Sequence, residues 1–378
     1  MNYRTFGKSD FKPSALGFGC MRLPVAGDSK IDRNEAIKMM RHAIDNGVNY
    51  FDTAYGYHGG QSEVVTGEAL KDGYRQKVKL ATKFPSWNVK SRDDFNRVLN
   101  DQLKKMQVDH IDYYLIHSLG DGSWKNVQKF DVLTQAEKAI KDGKIGHLGF
   151  SFHDDAPVFL KIIKEYKFEF CQIQINYLDE ANQAGLAGLK AAAAKGMAVI
   201  AMEPLLGGKL ARLPGRVQTA FDASGVKKSQ VEWALDYLWD MPEISTVLSG
   251  MSTMRQVEDN LVYAGRSSAG MFTDIEKTTI KKVQKLMLED KAVPCTSCKY
   301  CAPCPNGVDI PRNFEIYNDW RTFENDKDAV DAYAWFKKQS KGKETADNCN
   351  GCKTCEEKCP QKIVISEWMP KIKAALDK

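Results

Sequence analysis

The chain has 378 residues, 43% of them hydrophobic and 27% charged, a balance that excludes a disordered chain. Its apolar runs stay far below the ~20 residues of a membrane-spanning helix, and a net charge of +5 gives no basis for expecting nucleic acid or a membrane surface as partner. The length fits a large barrel plus a module, or two domains.

Residues 1–12 predict a short β-hairpin around Gly7-Lys8-Ser9, placed to cap the bottom of a barrel. Short apolar runs then alternate with amphipathic stretches. Strands are predicted at 15–21, 48–52, 78–83, 111–117, 145–151, 171–176, 197–202 and 245–249. The first helix opens on an Asp32/Glu35 capping pair and carries Ala36, Met40, Ala43 and Ile44 on one face. The third starts at Ser91 and lines up Phe95, Val98, Leu99, Gln102 or Leu103, and Met106. Further helices are predicted over 125–141, 156–167, 183–195, 228–239, 253–264 and 273–291. Gly47, Gly143 and Gly196 stand where helices should stop. Eight strand–helix units in about 250 residues predict an α/β fold, a closed (β/α)8 TIM barrel. The rival, a doubly wound open sheet, needs a Gly-rich turn that opens a helix. Gly17-Phe18-Gly19 leads instead into Met21-Arg22-Leu23-Pro24. After residue 291 Cys, Pro and Asn rise, so residues 1–291 are read as the barrel and 292–378 as a small cysteine-rich module.

Active sites of such barrels form at the C-terminal ends of the strands. Strand two ends in Asp52, with Tyr57 five residues on. Strand three ends in Lys83 and strand four in His117. Asp52 would keep Lys83 charged, the ammonium would lower the phenol pKa of Tyr57, and His117 would hydrogen-bond an oxygen gaining negative charge. That set can protonate a carbonyl but lacks an electron source, so a hydride donor is expected beside it. A single strand-end Asp, Lys, Tyr or His is more often structural, and the argument rests on all four together. Trp87, Phe84, Tyr55 and Met21 are candidates for a substrate pocket suited to an apolar or ring-bearing carbonyl. His58 and His153 are read as supporting or surface groups.

The run Asn49-Tyr50-Phe51-Asp52-Thr53-Ala54 with Tyr57, Ser62-Glu63 and Gly67-Glu68-Ala69-Leu70 resembles the aldo-keto reductase signature. Ala81-Thr82-Lys83 and Asp112-Tyr113-Tyr114-Leu115-Ile116-His117 match its next blocks, and the likeness continues to about residue 265. The resemblance implies NADPH or NADH as cofactor, a small-molecule carbonyl substrate, and Asp52, Tyr57, Lys83 and His117 as catalytic residues. It implies Ser151 and Gln172, assisted by Asn176, at the nicotinamide carboxamide, and Met202 where the family stacks an aromatic on the ring. Ser249, Gly250 and Met251 would meet cofactor phosphate, and Asp259 and Asn260 the adenine. Arg255 stands one position from the usual arginine. With Lys209 it favours NADPH.

Eight of the ten cysteines lie between Cys295 and Cys359, while Cys20 and Cys171 stand alone as small core residues. The chain opens MNYRTFGKSD without an apolar signal core, so a reducing cytoplasm, and metal ligation rather than disulfides, is expected. The runs are Cys295-x₂-Cys298-x₂-Cys301-x₂-Cys304-Pro and Cys349-x₂-Cys352-x₂-Cys355-x₃-Cys359-Pro. They resemble the bacterial-type two-[4Fe–4S] ferredoxin domain, in which the fourth Cys of each run serves the other cluster. The resemblance makes residues 292–378 a small ferredoxin-like iron–sulfur domain. It implies one cluster on Cys295, Cys298, Cys301 and Cys359, and a second on Cys349, Cys352, Cys355 and Cys304. Two Cys₄ zinc sites are the rival, disfavoured by three evenly spaced Cys followed by Cys-Pro. The expected activity is NAD(P)H-dependent carbonyl reduction. The alternative is electron transfer between the clusters and a redox protein partner, with the barrel as reductase unit or scaffold.

Overall fold

The structure is a computed structural model that describes residues 1–27, 30–289, 292–295 and 297–378. Its contacts divide the chain into two compact units. One holds Met1–Leu210 and Lys228–Thr273, the other Ala211–Lys227 and Asp274–Lys378. The division thus falls before the last predicted barrel helix, which runs Asp274–Glu289, rather than near residue 292; Lys291, at the end of the predicted span, lies outside the described residues.

The first unit is a closed barrel of eight parallel strands in chain order. They are β1 (Leu16–Gly19), β2 (Tyr50–Asp52), β3 (Lys79–Pro85), β4 (Ile111–Leu119), β5 (Ile145–Phe152), β6 (Phe170–Gln174), β7 (Ala198–Met202) and β8 (Ile244–Gly250). Each pairs with its sequence neighbour, and β8 pairs with β1 at Leu16↔Val247 and Phe18↔Ser249. All eight predicted strands are present, and ring closure excludes the open sheet. The predicted end of the first strand becomes a short 3-10 turn, Cys20–Arg22.

The helix Arg33–Asp45 is capped as read, with Asp32 accepting from the Glu35 amide. The helix Asp94–Met106 buries Phe95, Val98, Leu99, Gln102 and Met106, which settles the alternative in favour of Gln102. The predicted helix over 125–141 is two helices, Asp121–Lys129 and Val132–Lys141. Asp131, at φ 54°, leaves helical space between them, and a hydrophobic period that continues across the break hides it.

The N-terminal segment closes the barrel base. It forms only the isolated bridges Tyr3↔Ser14 and Phe6↔Ser9, yet it drives Phe6 among Tyr50, Tyr113, Phe170 and Ile200. Gly7 has φ 54°, and a Cβ there would stand 2.8 Å from the Ala198 amide nitrogen, so this turn requires glycine. Arg4 donates to the carbonyls of Ile244 (2.7 Å), Trp239 (2.9 Å) and Met241 (2.5 Å).

The second unit has its own core of Val308, Ile310, Phe314, Tyr333, Phe336, Ile365, Met369 and Ile372, drawn largely from the helices Ile310–Phe323, Asp326–Gln339 and Ile365–Leu376. The aromatic residues between the two Cys runs supply much of it. The helix Gly215–Asp222, which leaves the barrel sequence after β7, packs on Asp274–Glu289 within this unit. Arg216 pairs there with Glu324 and donates to the Thr322 carbonyl at 3.0 Å.

Candidate active site and cysteine sites

Parallel strands carry every C-terminal end to one mouth, so Asp52, Lys83 and His117, far apart in sequence, meet there. The Lys83 ammonium, fully buried, donates to Asp52 Oδ1 at 2.5 Å, to the Thr53 carbonyl at 2.7 Å and to the Tyr57 hydroxyl at 3.3 Å. The His117 ring stands edge-on to Tyr57, with centroids 5.9 Å apart. The β4–β5 pairing shifts register between Ile116 and Leu119, with Ser118 at φ 53°, so the strand is irregular around His117.

Burial alone would push Lys83 down, but Asp52 and Tyr57 beside it hold it above its ordinary range, so it is charged. The Tyr57 phenol moves opposite to the sequence expectation. Burial pushes it up, with Asp52 adding to the rise, and the Lys83 ammonium only partly offsets this. Burial, with Lys83 and His153 nearby, holds His117 well below its usual range, so the ring is neutral. Its Nδ1 is buried without a hydrogen-bond partner.

Beneath Lys83 lies a polar cluster that sequence reasoning missed. Glu63, buried, accepts from Thr82 Oγ1 and Gln102 Nε2, both at 2.7 Å. Gln102 also donates to the Lys83 carbonyl at 3.0 Å and accepts from the Tyr114 hydroxyl at 2.5 Å. A buried Gln on an otherwise apolar stripe was the available signal.

The expected cofactor residues divide. Ser151, at the end of β5, accepts from the Ser118 amide at 2.8 Å. Gln172 on β6 donates to Met202 Sδ at 3.5 Å, and its Oε1 is buried with no hydrogen-bond partner. A buried acceptor of this kind fits an amide-bearing ligand such as a nicotinamide. Asn176 is turned inward, accepting from the Leu178 and Asp179 amides and donating to Asp179 and the Glu203 carbonyl. Asn260 donates to Ser249 Oγ at 3.1 Å, and Met251 is buried. Arg255 is 89% exposed and lies 3.7 Å from Asp259. Arg22, which sequence reasoning missed, rests on Gly250, where a Cβ would meet its Cγ at 2.8 Å. Its place just past the end of β1, the same kind of position that marks Asp52, Lys83 and His117, was the available signal.

The pocket candidates divide too. The Trp87 ring is 4.9 Å from His117, and Trp87 and Met21 are about half exposed. Phe84 is buried against Phe95, and Tyr55 lies under the Lys105 ammonium at 3.9 Å, so both face the helix Asp94–Met106. His153, just past β5, lies close enough to act electrostatically on His117 and to feel the Lys83 charge. Gln183 donates to Gln174 at the end of β6 at 2.6 Å. His58, Ser118, Gln183, Glu203 and Leu206 all have φ between 47° and 54°, at or beyond the ends of β2, β4, β6 and β7.

In the second unit, Cys295, Cys298, Cys301 and Cys359 line one cavity with Ile310, Phe314 and Ile363. Cys355 feels the charges of Cys304 and Cys349. The fourth Cys of each run therefore lies with the other run, as the ferredoxin resemblance implies. The Ser297 amide donates to Cys295 Sγ at 3.4 Å, a contact suited to a thiolate. Among the described residues no group of three or more His, Cys, Asp or Glu is gathered tightly enough for a single metal ion.

The fold and mouth define a barrel oxidoreductase, and comparison with known proteins gives its family. Residues 15–277 match the aldo/keto reductase family, and the chain belongs to it. Residues 294–365 match the 4Fe-4S dicluster domain. The chain is 26% identical over 297 residues to the uncharacterized oxidoreductase YqkF of Bacillus subtilis, covering 69% of this chain and 90% of that one. It is 27% identical over 319 residues to the L-galactose dehydrogenase of Arabidopsis thaliana, covering 75% and 93%. Among solved structures, the holo form of aldo-keto reductase AKR11C1 from Bacillus halodurans matches with TM-score 0.62 and 26% identity, over 75% of this chain and 96% of that chain. No helix among the described residues is long and apolar enough to cross a membrane.

Proposed function

We propose that the protein reduces a small carbonyl compound to an alcohol, with Tyr57 as proton donor. The observation that carries this reading is the buried Lys83 ammonium bridging Asp52 and the Tyr57 hydroxyl at the barrel mouth. The fit of Gln172 Oε1 and Ser151 to a nicotinamide amide supports NAD(P)H as the cofactor, which when bound supplies the hydride. The residues of the chain manage the proton. The raised Tyr57 pKa keeps the phenol protonated at neutral pH, ready to donate to the carbonyl oxygen as its carbon accepts hydride. The phenolate left behind is stabilised by Lys83, whose charge Asp52 maintains. Neutral His117 donates one hydrogen bond to the same oxygen without competing for the proton. Phe84 and Tyr55 are turned away, while Trp87 stays beside His117, so the mouth retains one aromatic wall for the apolar or ring-bearing carbonyl expected from sequence. Steady-state aldehyde reduction by Tyr57→Phe tests the assignment; a rate equal to that of the unaltered chain overturns it.

A second reading is favoured by the exposure of Cys298 and Cys352. Two [4Fe–4S] clusters held by the two thiol sets would pass single electrons to a redox protein partner. Hydride carries two electrons, so under the second reading, with the barrel as reductase unit, one electron from the bound cofactor would have to pass to each of the two clusters. Anaerobic addition of NAD(P)H should leave cluster absorbance unchanged under the first reading and bleach it under the second.

A further inference from the structure

A cavity of about 840 Å³ opens in the barrel unit at the end away from Asp52 and Lys83. It is lined by residues at or just before the N-terminal ends of β4 to β7 and by the N-terminal hairpin, among them Tyr113, His147, Phe168, Met197 and Phe6. Its size lies within the roughly 300–1,000 Å³ of small-molecule sites. We propose that it is a second ligand site, for a flat aromatic ring carrying a phosphate, such as a nucleoside monophosphate.

The floor is aromatic and fixed. Phe6, Tyr113 and Phe168 lie buried beneath the cavity, and the Tyr113 ring stacks at 4.9 Å and 18° on His147, whose side chain is 38% exposed and is the ring that a ligand can reach. His147 Nδ1 is in turn held 2.7 Å from Glu169. The rim is cationic. Lys8, Lys164, Lys167 and Lys195 all line the cavity, and none forms an ion pair among the described residues. Three carboxylates share the lining with these four ammonium groups, and two of them keep their charge but are turned to other donors. Glu165 accepts from Trp124 Nε1 at 2.7 Å and from Gln128 at 3.2 Å, and Glu169 holds His147, which leaves Asp10 as the remaining acid of the lining.

The plain alternative is that lysines gather here because helices end here, and cations favour helix C-termini. That accounts for Lys164, in the last turn of Ala156–Glu165, and Lys195, just after Gly185–Ala194. It does not account for Lys8, which sits on the hairpin, or Lys167, beyond the helix. Lys8 is moreover positioned: its stem crosses Gly196, where a Cβ would stand 2.4 Å from Lys8 Cε, and Gly7 fixes the turn that presents it. A cluster of ammonium groups around the exposed His147 ring matches the two halves of an aromatic phosphate, charge to charge and face to face.

The test is equilibrium dialysis of labelled AMP against the full, cluster-reconstituted chain under anaerobic conditions, with NADPH saturating, and against Lys8→Ala/Lys195→Ala. Both lysines are exposed, and an unchanged thermal midpoint checks that the variant folds. We expect one saturable site that NADPH does not displace, weakened about tenfold or more in the double variant. Adenosine and inorganic phosphate should each bind more weakly than AMP. The proposal is overturned by absence of saturable binding, by full displacement with NADPH, or by equal affinity in the double variant. Because the variant decides the matter even if NADPH does not bind the chain, failure here is distinct from failure of the cofactor reading.

Discussion

The barrel and the cysteine-bearing unit hold their reactive groups in opposite ways. In the barrel, two buried charges, Lys83 and Asp52, meet each other, and the strand beneath them is tied to Glu63 and Gln102. The chain completes that site with its own side chains. In the second unit, four thiols line one cavity, and Cys355 lies near Cys304 and Cys349 beside a small helical core. Thiols that share a space repel once ionised, so this region depends on what it binds. A site made of charge pairs should therefore answer to single side-chain changes in rate, and a site made of thiols should answer in folding and metal content.

The largest expected effect tests that separation on the barrel side. Tyr57→Phe should lower carbonyl reduction by ~10²–10⁴ while leaving iron content unchanged; a parallel loss of iron would show that the two units are not independent. Next come Cys359→Ala and Cys304→Ala. With two [4Fe–4S] clusters and the crossed assignment proposed for their ligands, each should lower bound iron from about eight to about four atoms per chain, as measured by iron assay and visible absorbance. Retention of all the iron in either variant would break the crossed assignment. Smaller is Glu63→Ala, which leaves Thr82 and Gln102 without their shared acceptor. It should cost about 1–3 kcal/mol in the barrel transition seen by calorimetry, with no change in cluster absorbance.

The smallest effect is on pH dependence. His117 has its pKa held well below 6.5 by burial, so between that value and its folded pKa the unfolded chain binds a proton that the folded chain does not. Stability should fall as pH drops through about 6.5, and His117→Gln should flatten that slope in denaturant titrations. An unchanged slope would mean that the ring is not buried as described.

Much of the site was legible because its residues sit at a countable position. Asp52, Lys83 and His117 each end an apolar run, and parallel strands bring such ends together whatever the intervening sequence. The Cys runs were legible for a similar reason, since their spacing is local. Other features depend on which way a side chain turns. Tyr55 and Phe84 lie beside site residues yet face a helix. Asn176 spends its amide on a turn, Asn260 on Ser249, and Arg255 lies against Asp259. No periodicity encodes these outcomes, because each is a competition among partners brought near by folding.

The barrel, its strand order and the two cysteine runs follow from repeat lengths and local spacing, which the linear chain carries whole; the crossed pairing of those runs is what their resemblance to ferredoxins implies. Three other features arise only on packing: burial outweighs the Lys83 ammonium at Tyr57, Arg22 lies on Gly250, and the barrel base holds a lysine-rimmed cavity. Desolvation and close approach act between residues distant in the chain, and they exist only once those residues are packed together.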